Sequence, residues 1–123
     1  MFKMTFFCVM CSARIEEDID HLLFECPFAV QCWASINFSW DTSLPLPERF
    51  IRARDVHGLE FFTEASIIAA WELWKLRNDK IFQCRDPKHS IWLANFKHQC
   101  LSQSVRFRDD LRSSFCFWLD AFN

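Results

Sequence analysis

Cys8, Cys11, His21 and Cys26 stand in the first fifth of the chain with the spacing Cys-x2-Cys-x9-His-x4-Cys, inside the stretch CVMCSARIEEDIDHLLFEC. Two thiolates on one tight turn, a loop, then an imidazole and a third thiolate form a CCHC donor set of the kind that a structural Zn2+ takes in tetrahedral geometry. Cys26 immediately precedes Pro27, a residue suited to the first position of a helix, and the partial positive charge of a helix N-terminus favours thiolate over thiol. Two other readings stand beside zinc. Cysteine is among the most frequently buried residue types, so these side chains also suit a core. A CxxC can be a redox pair, although no βαβ pattern surrounds Cys8 and Cys11. Cys32, Cys84, Cys100 and Cys116 read as packing residues, with Cys32 the nearest alternative ligand.

Catalytic chemistry finds little support. Phe107–Asp110, FRDD, copies the aromatic-x-Asp-Asp of a polymerase palm, where adjacent carboxylates hold Mg2+. On a helix those two side chains diverge by about 100° and cannot grip one ion. A chain with one Gly can hardly build a phosphate-cradling loop, and His57, His89 and His98 lie apart with no partner that spacing identifies. Four protein ligands on a metal leave no open position for an activated water, so the expected metal is structural and the expected protein is not an enzyme.

The elements that must position the cluster are helical. Fifteen Phe and six Trp against no Tyr and a single Gly give a large apolar load with few hinges, which favours helices over a turn-rich sheet fold. The expected fold is mainly α: a small CCHC zinc knuckle, a short helix, and a two-helix antiparallel hairpin at the C-terminal end. The 123 residues divide into a zinc module with its helix over 1–37, a linker over 38–58 and a helical region over 59–123. From Pro27, Phe28, Cys32, Trp33 and Ile36 recur at helical spacing. The stretch SWDTSLPLPERFIRARDVHG has no sustained period and reads as a connection with one turn around Glu48 to Arg52. From about Leu59 a helix of more than twenty residues carries Phe62, Ala65, Ala69, Leu73 and Leu76 on one side and Ile67, Trp71, Trp74 and Ile81 on another, a surface that demands cover from both sides. Asp86-Pro87 reads as the start of a last long helix with a break near Asp109, its apolar positions being Trp92, Phe96, Cys100, Phe107, Leu111, Phe115, Leu119 and Phe122.

CVMCSARIEEDIDHLLFECPFAVQCW resembles the zinc-binding domain that follows the reverse transcriptase in plant non-LTR (LINE-type) retrotransposons, with its CxxC, acidic pair and HLFxxCPxxxxxW. Cys8, Cys11, His21 and Cys26 fall on the four ligand positions, and Glu16, Glu17, Leu22, Phe24, Pro27 and Trp33 on flanking ones. The later AAWELWKLRNDKIFQ resembles the W-x-IWK-x-RN-x-x-IF segment that follows this domain, so the resemblance covers residues 8–33 and 69–83 and, more loosely, the final helix. It implies zinc at those four residues and a non-catalytic, retrotransposon-derived zinc finger. Seven residues precede Cys8 where the family carries a helical, Trp-containing segment, so the chain resembles a truncated member; Asp18 stands where Thr is common.

Charge distribution bears on partners. Residues 1–60 carry five bases against nine acids, net −4, and residues 61–123 nine bases against seven acids, net +2. Phosphate binding needs clustered cations, which the acidic zinc end lacks. The candidate RNA or DNA contacts are therefore Lys75, Arg77, Lys80, Arg85 and Lys88, followed by Arg106, Arg108 and Arg112, with a solvated face as the plainer account of these interleaved charges. The competing class is a protein partner or self-association through exposed Phe and Trp surface. No signal peptide or membrane-spanning run is expected, and seven cysteines, an odd number, fit a reducing intracellular compartment, nucleus or cytoplasm.

Overall fold

The computed structural model describes residues 7–11 and 14–122, so residues 1–6 and 12–13 of the 1–37 module, and Asn123, lie outside it. The fold is mainly α, with no strand among the described residues beyond one isolated antiparallel bridge, Phe7 to Glu16. Five α-helices follow one π-helical turn: α1 Pro27–Ser35, α2 Leu46–His57, α3 Phe62–Gln83, α4 His89–Ser104 and α5 Asp109–Leu119. No helix among the described residues is long and apolar enough to cross a membrane.

The core forms where α3 and α4, joined by residues 84–88, pack along each other as a hairpin. Phe62, Ala65, Ala69, Leu73 and Leu76 of α3 are buried, as are Trp92, Phe96 and Cys100 of α4. Small residues at 65 and 69 let the bulky α4 side chains approach the α3 backbone, and Trp92 Nε1 donates to the Ala69 carbonyl at 3.2 Å. α5 is the expected break made real. It turns back so that Phe115 meets Phe61 at 4.8 Å between ring centroids, while Trp118 lies 5.6 Å from Phe38. Edge-on and tilted ring pairs of this kind each add about 0.5–1.5 kcal/mol beyond area burial.

Two elements differ from the sequence reading. The stretch 38–58 holds α2, a helix of 12 residues where one turn was expected. Only Arg49 and Ala53 of α2 are fully buried, so its apolar period is weak. Its ends are nonetheless marked: prolines at 45 and 47, Glu48 in the first turn, Arg54 and His57 in the last, and Gly58 in the left-handed conformation (φ 64°) that closes it through an N–H to the Arg54 carbonyl at 3.1 Å. The last helical region begins at His89 rather than at Asp86-Pro87. Lys88 is extended, and the Asp86 carboxylate binds Lys80 Nζ at 2.6 Å instead of capping free amides.

The second apolar face of α3 is a further departure. Ile67, Trp71, Trp74 and Ile81 all remain exposed, and no helix among the described residues packs over them.

Candidate metal centre

The CxxC turn is closed by short-range bonds that aim its sulfurs inward. Cys8 N–H donates to the Ile15 carbonyl at 2.8 Å, and the Phe7–Glu16 bridge lies one residue further out. Within the turn, Met10 N–H points at Cys8 Sγ at 3.4 Å. Arg14 takes a left-handed conformation (φ 57°) where the chain reverses.

The other two donors come from one helical turn. The Asp18 carboxylate accepts the His21 N–H at 2.7 Å and the Asp18 carbonyl accepts the Leu22 N–H at 2.8 Å, which starts that turn as a capping residue does. A Thr could cap in the same way. His21–Glu25 is then wound as a π-helical turn, closed by Cys26 N–H to the His21 carbonyl at 2.6 Å. Residues five apart on an α-helix are rotated by about 140°; the wider π turn brings His21 and Cys26 to the same side. Cys26 is also the residue from which α1 starts, with Pro27 at the first position, and the amides of Phe28 and Ala29 donate to its sulfur.

These pieces bring all four sequence-predicted ligands together. Cys8 Sγ, Cys11 Sγ, Cys26 Sγ and a His21 ring nitrogen lie within 4.8 Å of one another. Cys8 Sγ and Cys26 Sγ are 3.8 Å apart, and Cys11 Sγ and His21 Nε2 are 3.4 Å apart. A tetrahedral ion with bonds of about 2.3 Å to sulfur and about 2.0–2.1 Å to nitrogen has edges of about 3.8 Å (S–S) and about 3.6 Å (S–N), so both distances match a coordination tetrahedron. They are far longer than the S–S bond of a disulfide, about 2.0 Å, and all seven cysteines are free. Nε2 faces the cluster, so a metal there would require the neutral ring to carry its proton on Nδ1.

The donors are buried, Cys11 partly so, and this sets their electrostatics. Burial, with Cys26 close by, pushes the Cys8 thiol up to about 12, against the opposing Met10 amide. Burial likewise raises Cys26, opposed by the Phe28 and Ala29 amides. Thiols so placed resist ionisation until a cation supplies the missing charge, and a divalent ion reverses that balance outright. Cys32, the nearest alternative, is a packing residue on α1: it lies outside the four-ligand group, is fully buried, and its thiol is pushed up to about 12 by burial and by Cys26.

Two arginines that sequence reasoning did not connect to the site hold it against the helices. Arg49 of α2, itself buried, donates to Asp20 Oδ1 at 3.0 Å and to the Leu44 carbonyl at 2.9 Å, and lies over the Phe24 ring at 4.7 Å. Arg77 of α3 grips Glu17 with Nη2 to Oε1 at 2.7 Å and lies over the Trp74 ring at 4.8 Å. Trp33 adds a third tie through Nε1 to the Leu23 carbonyl at 2.6 Å. The acidity of this loop thus has internal uses: Asp18 caps, and Glu17 and Asp20 tether. A surplus of acids on the loop and of bases downstream was the available signal.

The five candidate phosphate contacts are mostly engaged. Lys75 lies 2.8 Å from Glu72, Arg77 is held by Glu17, and Lys80 by Asp86, whose carboxylate raises the Lys80 pKa and is itself lowered. Arg85 and Lys88 are exposed in the α3–α4 turn. Asp109 and Asp110 open α5 and pair with Arg112 and Arg108. His57 is structural, its Nδ1 against the Ala53 carbonyl and its ring against Phe62. Comparison with family models, curated proteins and solved structures gives no match.

Proposed function

We propose that this chain is a non-catalytic zinc-binding protein of the kind that follows plant non-LTR retrotransposon reverse transcriptases, with the ion acting as a structural staple. The observation that carries the zinc assignment is the Cys8–Cys11–His21–Cys26 cluster, whose donor atoms lie within 4.8 Å of one another, with the Cys8–Cys26 and Cys11–His21 separations close to tetrahedral edges. Three sulfurs and one imidazole suit Zn2+ over hard, oxygen-seeking cations. Structural zinc in finger peptides supplies about 10–16 kcal/mol at neutral pH, comparable to the whole stability of a small domain. The retrotransposon origin rests on the sequence resemblance. Thiolate ligands need a reducing compartment, so the protein acts inside the cell, nucleus or cytoplasm.

The test is elemental analysis of the reduced, purified chain, followed by Co2+ substitution. One zinc per chain and intense tetrahedral Co2+ bands are expected. A chain that stays metal-free yet well ordered around Cys8 and Cys26 removes the proposal.

A role as a helical interaction module is favoured over nucleic-acid binding by the engagement of Lys75, Arg77 and Lys80 with acids and by the uncovered Trp face of α3. Retention on RNA or DNA that falls steeply as salt rises would reverse that order.

A further inference from the structure

α3 has one face in the core and a second in solvent. On the second, Ile67 is 62%, Trp71 52%, Trp74 40% and Ile81 36% exposed. Single exposed apolar residues are ordinary on protein surfaces, but an ordered row of them along one helix is not. With half-buried Asn78 included, the row runs 67, 71, 74, 78, 81, in steps of four, three, four and three. Those steps are the alternation of a heptad seam: Ile67, Trp74 and Ile81 take d positions, Trp71 and Asn78 take a positions. An Asn at an a position is a known means of fixing register between paired helices. Arg77, held by Glu17 and lying over Trp74, fixes one of the two indoles beforehand.

The charges at the ends of α3 indicate which helix fits. Exposed Glu60, which also pairs with Arg108 at 3.2 Å, and half-buried Glu64 stand at its N-terminal end, and exposed Arg85 and Lys88 stand just beyond its C-terminal end. A parallel copy would set like charge beside like. An antiparallel copy sets acid beside base at both ends and opposes the helix dipoles. The antiparallel heptad register that sets a opposite d puts Trp71 level with Trp74 of the second copy, Ile67 with Asn78, Ile81 with Glu64 and Glu60 with Arg85, each occurring twice by symmetry.

We propose that this protein self-associates as an antiparallel dimer through the Ile67–Trp71–Trp74–Ile81 face of α3. This rests on the interaction-module reading and is independent of the metal.

Sedimentation of the zinc-loaded full chain from about 1 to 200 μM, at low and high salt, should show a concentration-dependent dimer that persists at high salt. Trp71→Glu should weaken it at least about tenfold while helicity and zinc content hold, since Trp is enriched among the few interface residues that dominate binding. Arg85→Glu should weaken it several-fold, and adding Glu60→Arg should restore it. A chain that is monomeric throughout, or a dimer indifferent to Trp71→Glu, overturns the proposal; a dimer lost in Trp71→Glu but not restored by the charge swap overturns the antiparallel register. Zinc content read on the same samples separates failure of the metal assignment from failure of this one.

Discussion

Glu17 and Arg77, sixty residues apart, meet as a two-pronged ion pair: Nη2 to Oε1 at 2.7 Å and Nε to Oε1 and Oε2 at 3.1 and 3.2 Å. Both side chains are largely withdrawn from solvent. One belongs to the loop between the CxxC and the histidine, the other to the long helix of the core, so the pair joins the candidate metal module to the helical body.

Removing one partner strands the other charge in a poorly hydrated place. Glu17→Gln and Arg77→Gln should each cost about 1–3 kcal/mol in urea melts, with the double variant costing less than their sum. Additive costs would mean that the two residues act independently. Because Arg77 is engaged internally, the same variant should leave RNA and DNA retention unchanged.

Ligand removal should act locally. Cys11→Ser or His21→Ala is expected to abolish stoichiometric zinc and to speed amide exchange over residues 14–36, while α3 and α4 keep their protection. Unchanged metal content in both variants would refute the ligand assignment.

The raised thiols fix the direction of the pH dependence. With Cys8 at about 12 and Cys26 also raised, the metal-free fold keeps these two thiols protonated across neutral pH. Zinc must displace the protons of both, so affinity should climb with pH. Calorimetry in two buffers of different ionisation enthalpy measures that release directly. For the chelated protein the sign is opposite. A thiol whose folded pKa lies above its ordinary value of 9.0 stabilises the fold below that value and loses the contribution as pH rises toward about 12, so the metal-free chain should weaken through that alkaline window.

Glu72 offers a gain rather than a loss. It is 1% exposed on the core side of α3, neither carboxylate oxygen accepts a hydrogen bond, and Lys75 Nζ lies 2.8 Å away without hydrogen-bond geometry. Its charge also helps burial to raise the neighbouring Cys100 thiol. Glu72→Met should therefore stabilise the chain by about 1–3 kcal/mol in urea melts. A destabilised variant would mean that the Lys75 contact outweighs the desolvation of the carboxylate.

Much of the candidate site was legible in the residues themselves. Ligand chemistry, the proline after Cys26 and the helical period from Phe28 to Ile36 are local signals, and local signals survive folding. The α3 stripe from Phe62 to Leu76 was legible for the same reason, since its period is carried by covalent spacing. Tertiary structure decided the rest. α2 is held less by an apolar face than by Arg49 reaching Asp20 and the Leu44 carbonyl, partners that no period in the sequence specifies. Asp86 carried the signal of a helix cap, yet Lys80, six residues earlier, took its carboxylate. The cover expected on the Trp71 face does not come from the described residues, because helical spacing reports which residues share a side and not whether a neighbour reaches it. Spacing along the chain determines which groups can meet; only the packed fold determines which charges are paired and which apolar surface stays in water.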